Sequence, residues 1–403
     1  MTEANLSLDH IYRASHILKG VIRPTNLIQT ESLGIPLYLK PENLQVTGSF
    51  KVRGAGYMIS QLSPEDRAKG VIACSAGNHA QGVALAAKKY GIKATICLPE
   101  GAPISKVEAT RSYGADICLV PGVYDDAYNY ALKLRDEKGL TFVHPFDNPL
   151  VIAGQGTIGL EILDELPDVD QVIVPVGGGG LASGVAYAVK QLNPEVKVYG
   201  VQAEGAPSMV NSVHDHKIEC LDEVHTIADG IAVKQPGVNT FKLCNELLDG
   251  MVTVTEDEIC AAILWLLEKR KLIAEGAGAV SVAAAMFGKV PCRDKKTVCI
   301  VSGGNIDVNF LNRIVNRGLE KSGRMCMLTI ELPDKPGELL EVARIIASLG
   351  ANITALQHER TADTADVTAC FLRVMMETRN HEHCDQIRKA LVDRGFILRT
   401  DRV

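Results

Sequence analysis

The chain has 403 residues, 46% of them hydrophobic and 22% charged, which allows two or three domains with buried cores and excludes wholesale disorder. Its 42 basic residues against 48 acidic ones give a net charge of −6 without any basic run, so the electrostatic footprint of a nucleic-acid binder is absent. Residues 1–10 lack the charged and apolar regions of a signal peptide, no apolar stretch reaches membrane-spanning length, and the eleven cysteines are odd in number with no C-x-x-C pair, so a reducing, cytoplasmic setting is expected.

Residues 8–18 read as a helix, followed by a loop, the apolar run 35–39 and a Pro41-Glu42-Asn43 turn. Thr47, Gly48 and Ser49 supply cap and turn chemistry for a helix from about Phe50, which places Lys51 in a first helical turn. From Gly70 the chain alternates. Strands are expected at 71–74, 94–98, 117–120 and 141–144 with helical patterns between them, then a helix at 155–166. A strand at 171–176 runs into Gly177-Gly178-Gly179-Gly180, and a helix at 181–192 and a strand at 196–202 follow. Helices at 256–271 and 276–287 precede a β-branched strand at 297–301, which ends at Ser302-Gly303-Gly304-Asn305. This alternation predicts an α/β fold with parallel-type sheets, helices on both faces, and ligands beyond the carboxyl ends of the strands.

Near residues 322–324 the pattern changes. Strand 327–332, helix 337–349, strands 352–358 and 367–375, helix 383–393 and strand 396–400 make a ferredoxin-like βαββαβ module. The expected domains are therefore a body at 1–322 and an appended module at 325–403.

Three strand-end loops and one lysine carry the candidate chemistry. Lys51 meets the positive end of its helix, and Arg53 two residues on is a like charge; both disfavour an ammonium and favour the free amine that imine chemistry with a carbonyl cofactor needs. The ordinary alternative is a solvated surface lysine. Four successive glycines at a helix entry make a cradle of amides for a phosphate. The same stretch fits Gly177-x-Gly179-x-x-Ala182 with Glu204 ending the next strand, so a dinucleotide site and a plain tight turn stay open as well. Amides of Ser75, Ala76, Gly77 and Asn78, with the Ser75 hydroxyl, suit a carboxylate, against the alternative of simple helix capping by Ser75 or Asn78. The Ser302 hydroxyl can bond a ring nitrogen. Glu275, at a Gly-rich helix entry, reads as a cap.

Together the segments Ser49-Phe50-Lys51-Val52-Arg53-Gly54-Ala55, Ser75-Ala76-Gly77-Asn78-His79-Ala80-Gln81-Gly82, Gly177-Gly178-Gly179-Gly180-Leu181 and Ser302-Gly303-Gly304-Asn305 resemble the threonine dehydratases (threonine ammonia-lyases), of the tryptophan-synthase-β-like, fold type II class that uses pyridoxal 5'-phosphate. The resemblance covers about residues 5–320. It implies a two-lobed catalytic domain whose smaller lobe, about residues 50–150, is inserted in the larger. It also implies that Lys51 joins the cofactor as an imine and that Phe50 and Asn78 contact its ring. Gly177, Gly178, Gly179, Gly180 and Leu181 would then hold its phosphate and Ser302 would meet its nitrogen. Ser75, Ala76, Gly77 and Asn78 would take the substrate carboxylate. Pro333-Asp334-Lys335-Pro336-Gly337-Glu338-Leu339 and Gly350-Ala351-Asn352-Ile353 resemble an ACT regulatory domain, which implies an amino-acid or nucleotide effector near Gly337, Leu339 and Asn352, and a homodimer or homotetramer.

The implied reaction is loss of water and then ammonia from threonine to give 2-oxobutanoate, with serine as a lesser substrate because one methyl is worth only about 1–3 kcal/mol in a pocket. A serine at the ring nitrogen makes a weak electron sink, which favours elimination, and freed Lys51 is the base for the Cα proton. Serine racemase is the near alternative; members with that activity carry serine where this chain has Ala76, which cannot hand a proton to the second face. Some members hold a cation beside the equivalent of Glu204 with an aspartate six residues on; Val210 stands there, and no metal is expected. From other classes, a dinucleotide-binding oxidoreductase and a non-catalytic sensor stay open.

Overall fold

Strands Val71–Cys74, Gln171–Pro175 and Thr297–Val301 are buried along their whole length, as strands covered by helices on both faces must be. They are central to two sheets in the computed structural model of the chain, which describes residues 6–31, 33–360 and 369–399. One sheet runs Ile28–Thr30, Leu37–Pro41, Thr297–Val301, Gln171–Pro175, Lys197–Ala203, Gly250–Val254. All its pairs are parallel except the first. The smaller sheet, Asp116–Val120, Ala94–Pro99, Val71–Cys74, Thr141–Phe142, is parallel throughout. Two edge strands, Ile28–Thr30 and Gly250–Val254, escape the sequence reading because they are short and only partly buried, so their apolar signal is diluted.

Helix bounds shift where local chemistry outweighs periodicity. The helix expected at 155–166 starts earlier, as Pro149–Glu165, because Asn148 accepts hydrogen bonds from the amides of Leu150 and Val151 and Pro149 opens the first turn. The helix expected at 256–271 is α only over Glu256–Trp265 and finishes in a π turn, Leu266–Arg270, with Lys271 left-handed at φ +58°.

By internal contacts the chain divides into two units, Met1–Asp307 and Val308–Val403. The second opens with helix Val308–Lys321, which packs on strand Met325–Pro333; the sequence reading had run the first domain on to 322. Its four-stranded sheet has the order Asn352–Glu359, Ala369–Glu377, Met325–Pro333, Ile397–Arg399, antiparallel throughout, which is the strand order of a ferredoxin-like βαββαβ module. Residues 367, 368 and 400 of the two expected strands lie outside the described residues. Helices Glu338–Ser348 and His381–Asp393 cover one face over a core that includes Ile330, Val342, Leu372 and Ile387. Among the described residues no helix is long and apolar enough to cross a membrane.

Candidate active site

Lys51 is the first residue of helix Lys51–Ser60, and its Nζ donates to the Pro145 carbonyl at 2.8 Å. Burial holds the amine down to about 8, against a smaller opposing pull from the Glu275 carboxylate. Arg53 is not among the causes. Two residues along a helix the side chains diverge, and Arg53 is fully buried in two carboxylate forks, Nε and Nη2 to Glu42 at 2.8 Å each, Nη1 and Nη2 to Glu161 at 2.6 and 2.8 Å. The expected like-charge effect of Arg53 is therefore replaced by desolvation.

The peptide after Pro145 links the lysine to the glycine loop. Cβ atoms built on Gly178 and Gly180 would fall 2.5 Å from the Phe146 ring and 2.9 Å from the Phe146 backbone. A side chain at either place is excluded. Gly179 is left-handed at φ +96° and forms the cap of helix Gly180–Leu192. The amides of Gly177, Gly178, Gly179, Gly180 and Leu181 donate to no group among the described residues, whereas the Gly178 carbonyl accepts from the Thr240 hydroxyl at 2.6 Å. A row of unpaired donors at a helix N-terminus fits a phosphate in number and charge. Asp147 steadies this side by accepting from the amides of Val238, Asn239 and Thr240.

Asn78, first residue of helix Asn78–Lys89, donates from Nδ2 to Glu275 Oε1 at 2.6 Å and accepts at Oδ1 from Asn305 Nδ2 at 2.7 Å. Asn305 also donates to the Thr47 carbonyl, so loops 47–50, 75–78 and 302–305 form one wall. A bridge between Ser49 and Gly303, and the Phe50 amide donating to the Ser302 carbonyl at 3.1 Å, close that wall. Ser302 is buried, and its hydroxyl donates to the Ala277 carbonyl at 3.2 Å. The Phe50 ring is half-buried with its centroid 5.4 Å from Lys51 Nζ.

Neither Ser75 nor Asn78 caps its helix. Ser75 Oγ accepts from the Gly77 amide at 3.2 Å, and the helix cap is Gly77 without a side-chain bond. Ser75, Ala76 and Gly77 are half-buried, and a Cβ at Gly77 would meet open space. The Glu275 side chain is not the helix cap that its position suggests. Glu275 precedes helix Gly276–Met286, but its side chain makes no cap bond; its amide holds the Gly303 carbonyl at 3.1 Å while its carboxylate turns to Asn78. Burial and Asp229 push this carboxyl up to about 7, against Asn78, Lys106 and Lys51. Lys106 meanwhile forms an ion pair with Asp229. Two histidines beside the lysine stay neutral. His79 is pushed down to about 3 and His144 to about 4, each chiefly by burial, with Lys51 adding to both. Ser49 Oγ and His79 Nδ1 are buried polar atoms without a partner among the described residues.

Sequence reading missed Pro145, Phe146 and Asp229, gave Asn305 a place in its motif but no role, and took Glu275 for a cap, because each reaches the site from a loop whose own pattern reads as turn or cap. In the second unit Gly337 caps helix Glu338–Ser348 at φ +101°, and Leu339 is partly exposed. Asn352 lies past the other end of that helix, bonded to Glu377 at 3.1 Å. Asn352 pairs with Glu377 opposite Met325, at the end of the sheet away from Pro333 and the turn that leads to Gly337. One copy of the unit does not bring them together.

Residues 18–303 match the family described as pyridoxal-phosphate dependent enzymes. The chain belongs to that family, and the amine, the amide cradle and the buried hydroxyl are a donor set that fits its cofactor. A protein of Thermotoga maritima named L-threonine ammonia-lyase is 49% identical over 398 residues, 98% of this chain and 99% of its own. One of Geobacter sulfurreducens with the same name is 46% identical over 392 residues, 96% and 98% of the two chains. Among solved structures, the processed threonine deaminase isoform 2 of Solanum lycopersicum superposes with a TM-score of 0.73 at 40% identity, over 78% of this chain and 90% of that one. Maize serine racemase superposes with a TM-score of 0.74 at 34% identity, over 79% and 99%.

Proposed function

We propose that this protein is a threonine ammonia-lyase that converts L-threonine to 2-oxobutanoate and ammonia, with serine as a lesser substrate. The observation that carries the reading is the juxtaposition, across Pro145 and Phe146, of a buried amine held near neutrality and a row of unpaired amides. Near-full-length likeness to two proteins named for this reaction supports the substrate.

Bound pyridoxal phosphate supplies an electron sink for the α-carbon of an amino acid. Gly177 to Leu181 bind the phosphate through their amides, and Phe50, Asn78 and Ser302 orient the ring. The loop Ser75, Ala76, Gly77, Asn78 holds the substrate carboxylate, beside the open space at Gly77. Lys51, neutral in a useful fraction near pH 8, takes the Cα proton. Glu275 holds its own proton up to about pH 7 and fixes Asn78 against Asn305. Ala76 offers no proton to the opposite face, which favours elimination over racemisation. A cytoplasmic location agrees with the eleven free cysteines. The C-terminal unit is read as an ACT module that pairs with its own copy, so that Gly337 and Leu339 of one copy and Asn352 of another meet around an amino-acid effector.

Steady-state ammonia release from threonine, with chiral analysis of recovered serine, tests this. Wild-type protein is expected to release ammonia and leave serine in the L form, and Lys51→Ala to remain folded without turnover. Turnover by Lys51→Ala above a small residue, or D-serine as a main wild-type product, overturns the reading.

A further inference from the structure

Three neighbouring strands of the C-terminal sheet each bring one metal-binding group to the same place. Leu332 stands opposite Cys370, and Asp334 lies two residues beyond Leu332, just past the end of strand Met325–Pro333. On the other side His358 stands opposite Leu372, two residues from Cys370. Residues opposite or two apart share a face of a sheet, so Asp334, His358 and Cys370 project on one side. That side is the core face, since Leu332, Cys370 and Leu372 are all buried in it. Cys370 forms the closed floor, and Asp334 and His358 are exposed at the mouth.

Carboxylate oxygen, His358 Nε2 and Cys370 Sγ all lie within 4.8 Å of one another, with Nε2 and Sγ 3.0 Å apart. Ligands at about 2.0–2.3 Å from a tetrahedral zinc stand roughly 3–4 Å apart, so the exposed Asp334 alone has to move to close the set. We propose that these three groups bind a divalent transition-metal ion of the zinc class, with no fourth protein ligand among the described residues.

One thiolate, one imidazole and one carboxylate form a mixed set that suits zinc and disfavours calcium or magnesium. The local field also favours a cation. Asp334 and Glu338 place negative charge near the Cys370 sulfur, and Arg360 opposes them. The competing contact is an ion pair between Asp334 and Arg360 at 3.1 Å, both partly exposed, of a kind worth at most about 1 kcal/mol. The thiol also lies 3.5 Å from the Leu332 carbonyl. On binding, Cys370 gives up its thiol proton to solvent as the metal–sulfur bond forms, and His358 binds through Nε2 with its proton on Nδ1.

The test uses full-length holoenzyme, stripped with a chelator, reloaded with zinc chloride and gel-filtered before metal analysis. One zinc per chain is expected in the wild type. Cys370→Ser and Asp334→Asn should bind about tenfold or more weakly in competition with a chromophoric chelator. Asp334 is exposed, so its variant reads the site even if the core change unfolds the unit. Cobalt loading should add a near-ultraviolet thiolate band that Cys370→Ser lacks. No retained zinc in the wild type, or equal retention by both variants, overturns the proposal and leaves a hydrogen-bonded Cys–His contact.

Discussion

Lys51 and Glu275 feel the same burial in opposite senses: the amine is pushed down to about 8 and the carboxyl up to about 7, so both sit close to neutrality where ordinary groups would be charged. For Glu275 the sign follows from proton counting. Below its ordinary value of 4.5 the carboxyl is protonated folded and unfolded, and burial carries no charge penalty. Between 4.5 and about 7 the unfolded chain releases the proton that the folded chain keeps, so stability falls as pH rises, by on the order of 3 kcal/mol in all. Glu275→Gln should therefore gain melting temperature over the cofactor-free wild type through that window and hold the gain above it. Melting curves of the two proteins that stay parallel from pH 4.5 to 8 would show that Glu275 is not the buried acid described.

At the scale of elements, the helix that carries Lys51 is held by charge and by close packing together. Arg53 ties it to Glu42 after strand Leu37–Pro41 and to Glu161 in helix Pro149–Glu165, and Lys40 adds Glu161 at 2.7 Å and Glu165 at 3.2 Å. The two helices cross backbone to backbone, since a Cβ on Gly154 would fall 2.6 Å from the Arg53 carbonyl oxygen. Arg53→Met would leave Glu42 buried and unpaired, with an expected loss of about 3–5 kcal/mol. Thermal unfolding checks it. A fall in melting temperature no larger than that of an exposed-lysine control would mean the forks are dispensable. Cofactor uptake should weaken in the same variant, because Lys51 rides on the same helix turn.

At the scale of the whole chain the two units ask to be separated. Truncation after Gly323, which removes the four-stranded sheet but keeps helix Val308–Lys321, is expected to give a yellow, active enzyme. If the C-terminal unit takes isoleucine, the full chain should shift its threonine saturation by about fivefold or more, a coupling of about 1–3 kcal/mol, and the truncated chain should not. An equal response in both would place the effector in the catalytic unit.

The sequence by itself determined the alternation that makes the parallel sheets, the βαββαβ module, and the loops that end at Lys51, Asn78, Gly180 and Ser302. These are local signals: apolar period, cap residues and glycine runs act within a few residues and need no partner. The tertiary structure alone decided what burial does to each charge. Arg53 looked like the neighbour that unsettles Lys51, yet its charge is spent on Glu42 and Glu161 and desolvation does the work. Glu275 looked like a cap and is a buried acid on Asn78, 197 residues away in sequence. Phe146 in the glycine cradle and the Asp334, His358, Cys370 group were equally out of reach, since charge and packing depend on distances between segments that the chain order does not carry.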